Sequence, residues 1–182
     1  MPFIPSLTDD SGAIAVMKLD MATGAPFADY IAAQLLTNSL LPGEDKELLG
    51  AYISRLNNCN YTLGIHKTAF KSFGLDPSII DALINDIGSA PVSEKLKPVL
   101  KFAKILTLTP GSISATDADA VLEAGYSEKE FHDIVMTISL FNFTNRMLDG
   151  HGIKGNKELW EERGKELHNS RYQFMIDAFK DR

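Results

Sequence analysis

Apolar residues recur at helical spacing along most of the chain. From Pro26 to Leu40 they fall at Phe27, Ile31, Leu35 and Leu36, which share one face of a helix. The same spacing continues through the middle of the chain and into its C-terminal part. The pattern therefore predicts an all-α protein.

Turn and capping signals divide this pattern into seven or eight helices. Ser127 and Glu130 form a capping box at the start of a long helix, and Gly74 and Gly125 are placed to end two others. Asn58 and Thr116 are predicted as N-caps. The predicted helices span 26–40, 44–56, 59–73, 77–88, 94–106, 116–125, 128–148 and 157–179.

The segment Ile134–Phe141 is ambiguous because it is rich in β-branched residues, which favour strands. The capping box that precedes it and the helical spacing of its apolar residues favour a buried helix. We therefore predict a helix here and expect no strand.

The helical pattern indicates one domain. The first 24 residues are rich in Pro, Gly, Ser and Asp, and they are predicted to be an irregular lead-in that lies on the body of the protein. Residues 25–182 form the predicted helical domain, and the segment 44–73 carries its candidate chemistry. A chain of 182 residues removes roughly 70% of its extended surface from water, which is enough for a substantial core.

Composition and charge exclude several classes of protein. The net charge is −6 without a basic tract, which argues against nucleic acid as the main partner. A single cysteine excludes an internal disulfide. No run approaches the ~20 apolar residues of a membrane span, and the N-terminal residues lack the pattern of a signal peptide. We therefore expect a cytoplasmic protein without membrane contact.

The candidate chemistry lies at the start of the third predicted helix. Cys59 begins this helix, where the helix dipole favours a thiolate, and it shares one helical face with Thr62 and His66. Glu47 reaches that face if the second and third helices pack antiparallel, and a Glu beside a His is a proton-relay pair. The structural alternative is that Cys59 is a small buried apolar residue and that His66 is a core residue whose hydrogen bonds are made within the protein.

These residues also carry a resemblance to a known family. Glu47, Cys59 and His66 fall in the register of the motif of the alkylhydroperoxidase D-like (AhpD-like) family, also called the carboxymuconolactone decarboxylase-like superfamily. Residues 106–110 and 124–128, with the Phe-Asn-Phe-Thr-Asn-Arg run at 141–146, are similar to its peroxidase-related branch. The resemblance covers roughly residues 25–155 and implies a single-domain helical bundle. It also implies a homo-oligomer: a dimer, trimer or hexamer.

The sequence departs from the family at one functional position. In the family, a second cysteine attacks the peroxide while Glu and His relay its proton. The first cysteine, which matches Cys59, then resolves the product as a disulfide that a dihydrolipoyl partner reduces. Thr62 stands where the second cysteine is expected. Because threonine has no redox chemistry, the two-cysteine cycle is not expected in this chain.

Three functions remain as hypotheses. The favoured one is an alkylhydroperoxidase-like enzyme in which Cys59 reduces organic peroxides and is recycled by an external thiol reductant. The second is an acid–base enzyme like the family's decarboxylases, acting on a small organic acid or lactone through Glu47 and His66. The third is a catalytically inactive helical oligomer. The spacing of the histidines indicates no metal site, and no phosphate-binding loop is found, so no cofactor is predicted.

Overall fold

The protein is described by a computed structural model that covers residues 1–37 and 40–180. Its described part is all helical, and eight of its ten α-helices have seven or more residues, as predicted. The α-helices are α1 Ala13–Met17, α2 Met21–Ala32, α3 Gly43–Leu56, α4 Asn60–Ser72, α5 Ser78–Asn85, α6 Leu96–Leu108, α7 Ala115–Glu123, α8 Glu128–Gly150, α9 Lys157–Ser170 and α10 Gln173–Asp177. A π-helix, Ala33–Thr37, continues α2, and a 3₁₀ turn, Pro110–Ser112, follows α6.

Helix α3 is the centre of the packing. It lies against α4, α5, α6 and α8, and α4 in turn packs on α9. Tyr52 and Leu49 of α3 are fully buried, as are Ile134 and Ile138 of α8. Residues of α3 are therefore surrounded by other helices and shielded from solvent, which places any polar side chain of α3 in a low-dielectric environment.

The turn between α3 and α4 is a Schellman motif. Asn58 adopts a left-handed conformation with φ of 56°. The amide of Asn58 donates to the Arg55 carbonyl at 3.3 Å, and the amide of Cys59 donates to the Ser54 carbonyl at 2.9 Å. Asn58 therefore ends α3, and the prediction that it caps the next helix is wrong. Cys59 occupies the N-cap position of α4 instead.

The prediction of an irregular lead-in over residues 1–24 is also wrong. Helix α1 lies within this segment, and α2 begins at Met21 instead of Pro26. Asp20 caps α2 by accepting a hydrogen bond from the amide of Ala22 at 3.1 Å. Pro26 lies inside the helix and does not mark its start. The predicted end of this helix, near Leu40, follows residues 38–39, which lie outside the described part of the chain.

Capping chemistry explains the beginning of α7 and α8. The capping box of Ser127 and Glu130 is present, and the segment Ile134–Phe141 is helical, as predicted. The prediction for α7 is wrong by two residues, because Ser114 is its N-cap and closes a capping box with Asp117. Thr116 and Asp119 have the same spacing as Ser114 and Asp117, so the capping-box pattern alone does not distinguish the two starts.

The last predicted helix is broken in two. Arg171 has φ of 55° between α9 and α10, and its guanidinium lies over the ring of Phe73, 4.7 Å from the centroid. Arginine rarely adopts this conformation, so the sequence carries no signal for the break. The break turns the next residue, Tyr172, into the interior, where it is 5% exposed.

Over residues 1–37 and 40–180, none of the helices combines the length and apolar character needed to cross a membrane.

Candidate active site

A buried carboxylate–imidazole pair joins α3 to α4. Oε2 of Glu47 lies 2.7 Å from Nδ1 of His66, and the two residues are only 2% and 5% exposed. Their contact shows that α3 and α4 run antiparallel, as the predicted relay requires. The hydrogen bond uses one ring nitrogen of His66. The other, Nε2, makes no hydrogen bond with the described residues.

A third residue, Tyr172, completes this cluster from the C-terminal part of the chain. Its hydroxyl donates to the other carboxylate oxygen of Glu47, Oε1, at 3.2 Å. Burial raises the pKa of Tyr172 well above its usual value, and the negative charge of Glu47 adds to this shift. Tyr172 therefore keeps its proton and remains a hydrogen-bond donor. The sequence analysis missed it, because it lies 125 residues from Glu47 and no local motif marks it.

The position of the His66 ring depends on close contacts. Phe141 of α8 packs edge-on against it, with ring centroids 5.0 Å apart at 83°. Gly50 of α3 lies so near that a Cβ at this position would be 2.9 Å from Cζ of Phe141 and 3.0 Å from Cγ of His66. Glycine at position 50 is therefore what lets α3 approach the ring, and contacts with Gly50 and Phe141 fix the position of the imidazole.

The cluster borders a cavity of about 380 Å³. His66, Thr62 and Tyr172 contribute to its wall, whereas Glu47 lies behind His66 and does not. Most of the remaining wall is apolar and comes from α1, α2, α4, α8, α9 and α10: Ile14, Ile31, Ile65, Leu140, Phe141, Leu148, Leu159, Leu167, Phe174 and Met175, with Leu35 from the π-helix. A concave apolar cavity with a few polar groups is the usual form of a small-molecule site.

A second polar cluster lies one helical turn away from the first. Oγ1 of Thr62 donates to Oδ1 of Asn145 at 2.6 Å, and the hydroxyl of Ser54 lies 3.3 Å from the same oxygen. The thiol of Cys59 lies 3.8 Å from the backbone carbonyl of Asn145. All four residues are buried, and Thr62 alone among them borders the cavity. Asn145 belongs to the run that carried the family resemblance, but its contact with Thr62 was not predicted.

Cys59 is not the reactive thiolate that its position predicted. It is fully buried and does not contribute to the cavity wall, and burial raises the pKa of its thiol to about 11. Hydrogen bonds from Thr62 act in the opposite direction but are smaller. The cost of burying a charge therefore outweighs the favourable helix terminus, and the thiol is neutral at physiological pH.

Within the described residues, the candidate site does not have the side chains of a metal centre. Across residues 1–37 and 40–180, no three or more His, Cys, Asp or Glu side chains lie close enough together to hold a metal ion. Glu47 instead accepts hydrogen bonds from His66 and Tyr172.

Comparison with known proteins identifies the fold. No family model and no curated protein matches the chain. Among solved structures, an uncharacterized peroxidase-related protein from Silicibacter sp. TM1040 is 22% identical with a TM-score of 0.73, covering 83% of this chain and 78% of that one. The alkylhydroperoxidase AhpD core of an uncharacterized peroxidase-related protein from Ralstonia eutropha JMP134 is 20% identical with a TM-score of 0.71, covering 83% and 79%. The chain therefore has the AhpD-like fold, as predicted.

Proposed function

We propose that this protein is an AhpD-like acid–base enzyme in which His66, oriented by Glu47, transfers a proton on a small organic substrate bound in the cavity. The observation that supports this most strongly is the buried contact of 2.7 Å between Glu47 and His66, with His66 at the cavity wall. A base oriented by a second group, beside an apolar pocket, is the arrangement used in proton-transfer catalysis.

The roles follow from the hydrogen bonds. In the active tautomer, Nδ1–H of His66 donates to Glu47, which leaves the lone pair of Nε2 available to the substrate. Nε2 takes a proton from a carbon next to a carbonyl group, and the carboxylate of Glu47 stabilises the imidazolium that forms. The same imidazolium then returns the proton to the product. Tyr172 fixes the carboxylate by donating to its second oxygen.

The location of the pair strengthens this chemistry. Because Glu47 and His66 are nearly buried, their attraction is screened less than at the surface. A positioned general base of this kind contributes roughly 10²- to 10⁴-fold to a rate. Thr62 borders the cavity one helical turn from His66, so its hydroxyl oxygen is a further polar group that can accept a hydrogen bond from a substrate.

The test measures proton transfer directly. The protein is incubated in D₂O with γ-lactones and with long-chain oxo acids whose ketone is remote from the carboxylate. Exchange of the proton next to the carbonyl, above the rate measured without protein, is followed by NMR. We expect exchange with the wild-type protein, a loss of at least 100-fold in His66→Gln and Glu47→Gln, and retention in Cys59→Ser. Exchange that is absent throughout the panel, or that survives in His66→Gln, would contradict the proposal.

A second candidate function is a peroxidase that uses Cys59. Its support is the fold, which this chain shares with proteins described as peroxidase-related. Peroxide treatment followed by a sulfenic-acid probe tests it. Labelling of the folded protein, together with reduction of cumene hydroperoxide that is lost in Cys59→Ser, would favour this function over acid–base chemistry. A gain of dithiol-dependent peroxidase activity in Thr62→Cys would show that the cavity still admits a peroxide.

The assembly and location of the protein remain predictions. A homo-oligomer of two, three or six subunits and a cytoplasmic location follow from the resemblance and from the sequence. Sedimentation velocity measures the first, and cell fractionation of the native protein measures the second. An external thiol reductant is required only if the peroxidase hypothesis holds.

A further inference from the structure

We propose that the cavity binds an apolar carboxylic acid, with its carboxylate at Lys18 and its hydrocarbon body directed inward to His66. This inference deepens the proposed function by naming the class of ligand, and it rests on the proposed function only for what happens to the ligand after it binds.

The walls and the volume favour a hydrocarbon body. The apolar wall residues come from six helices and a π-helix, so most of the surface that an alkyl or aryl group meets in the cavity is apolar. An apolar cavity of about 150 Å³ holds one benzene molecule. By that ratio, a cavity of about 380 Å³ has room for about 15 non-hydrogen atoms.

Three charged residues contribute to the cavity wall, and two of them have partners. The carboxylate of Asp10 accepts a hydrogen bond from the side-chain amide of Asn156 at 3.2 Å. Arg163 pairs with Glu166 at 2.6 Å. Lys18 is exposed, and within the described residues its ammonium group makes no ion pair; it lies 5.6 Å from the centroid of the Phe179 ring. Lys18 is therefore the cation that is available to an anionic ligand.

The buried carboxylate of Glu47 decides the orientation. It lies directly behind His66, so a second negative charge at the inner end of the cavity would be repelled in a region of low dielectric. The same negative charge is favoured at Lys18, where water also solvates it. The ligand therefore keeps its carboxylate at the solvent-exposed end and presents an uncharged part of its body to Nε2 of His66.

The experiment compares an acid with the matching alcohol by isothermal titration calorimetry. Decanoate and 1-decanol have the same chain, and they differ in the charged head group. We expect decanoate to bind the wild-type protein more tightly than decanol, and Lys18→Ala to weaken decanoate by roughly five-fold without changing decanol. Affinity for straight-chain acids should rise from butyrate to decanoate, because each added CH₂ buries apolar area.

A matched control separates a local effect from a general change in charge. Lys129 is exposed on α8 and is not part of the cavity wall, so Lys129→Ala removes the same charge elsewhere. Equal affinity for decanoate and decanol would overturn the inference. So would an equal loss in Lys129→Ala, or no loss in Lys18→Ala.

Binding and turnover are tested separately. If proton exchange fails while the Lys18-dependent binding is found, the proposed function is wrong and the ligand class stands. If exchange is found but binding does not depend on Lys18, the ligand class is wrong and the proposed function stands.

Discussion

The two polar clusters on the α3–α4 pair differ in their relation to the cavity. In the first, His66 and Tyr172 border the cavity, one ring nitrogen of His66 is unused, and Glu47 lies behind them. In the second, the hydroxyl of Thr62 and the thiol of Cys59 are directed to Asn145. Nδ2 of Asn145 has no hydrogen-bond partner among the described residues, but it is buried and does not border the cavity. Burial is similar in both, so burial alone does not mark a reactive site.

The difference indicates which of the two clusters the proposed function can use. A buried cluster supports reaction when one polar atom is left unpaired and points to a space that a ligand can enter. The first cluster meets this condition through His66. The second is a network that stabilises the contact between α3, α4 and α8, with Thr62 at its edge. The following predictions test this contrast.

The largest effect on both stability and proton exchange is expected from Gly50→Ala. The added Cβ would meet Phe141 and His66 at 3.0 Å or less, so both rings must shift. We expect a loss of about 1–3 kcal/mol in the free energy of unfolding, measured by urea denaturation, together with loss of proton exchange. Gly111→Ala is the control, because its Cβ meets no heavy atom within 4 Å. Unchanged exchange in Gly50→Ala would show that the ring position is not critical.

Asn145→Ala should damage stability more than activity. It removes the partner of both Thr62 and Ser54 in a buried environment. We expect the free energy of unfolding to fall by about 1–3 kcal/mol, with proton exchange by the folded protein changed less than ten-fold. A loss of exchange as large as that of His66→Gln would mean that the two clusters act as one site.

Tyr172→Phe should have a smaller effect on both properties. It deletes one hydrogen bond to Glu47 while keeping the ring that fills the interior. We expect a stability loss of about 0.5–1.5 kcal/mol and a reduction of exchange of several-fold, with the pH dependence of exchange displaced. A pH profile identical to that of the wild-type protein would assign Tyr172 to packing alone.

The smallest effect near neutral pH is expected from Cys59→Ala. The folded state raises the pKa of this thiol from 9.0 to about 11, so the stabilising contribution of the neutral thiol is present below pH 9 and is lost as the pH rises to about 11. The difference in unfolding free energy between wild type and variant should therefore fall by about 1–2 kcal/mol over this interval. Tyr52, with a pKa of about 12, titrates in both proteins, so its contribution cancels in the difference between their unfolding free energies.

A reactivity measurement complements that titration. The Cys59 thiol should react with Ellman's reagent at pH 8 only when the protein unfolds, because the thiol is fully buried. Addition of urea should therefore release the full signal of one cysteine. Rapid reaction in the folded protein would show that the second cluster is accessible, and it would restore the peroxidase hypothesis to first place.

The sequence predicts the part of the site that depends on two neighbouring helices. Glu47 and His66 lie on helices α3 and α4, which a short turn connects. Helical periodicity and the antiparallel arrangement of the two helices are therefore enough to bring the side chains together. Tyr172 depends on a left-handed Arg171, which no glycine or proline announces. The reactivity of Cys59 was misjudged because a helix terminus is a local property, whereas the burial that controls the thiol pKa comes from helices distant in sequence.

The distance of Tyr172 along the chain also has a consequence for biosynthesis. Proteins are made from the N-terminus at about 5–20 residues per second, so Tyr172, which follows Glu47 by 125 residues, leaves the ribosome on the order of ten seconds later. During that interval the carboxylate of Glu47 has its imidazole partner available but not its phenol. The C-terminal segment therefore finishes the site, and a nascent chain that pairs α3 with α4 early still waits for Tyr172.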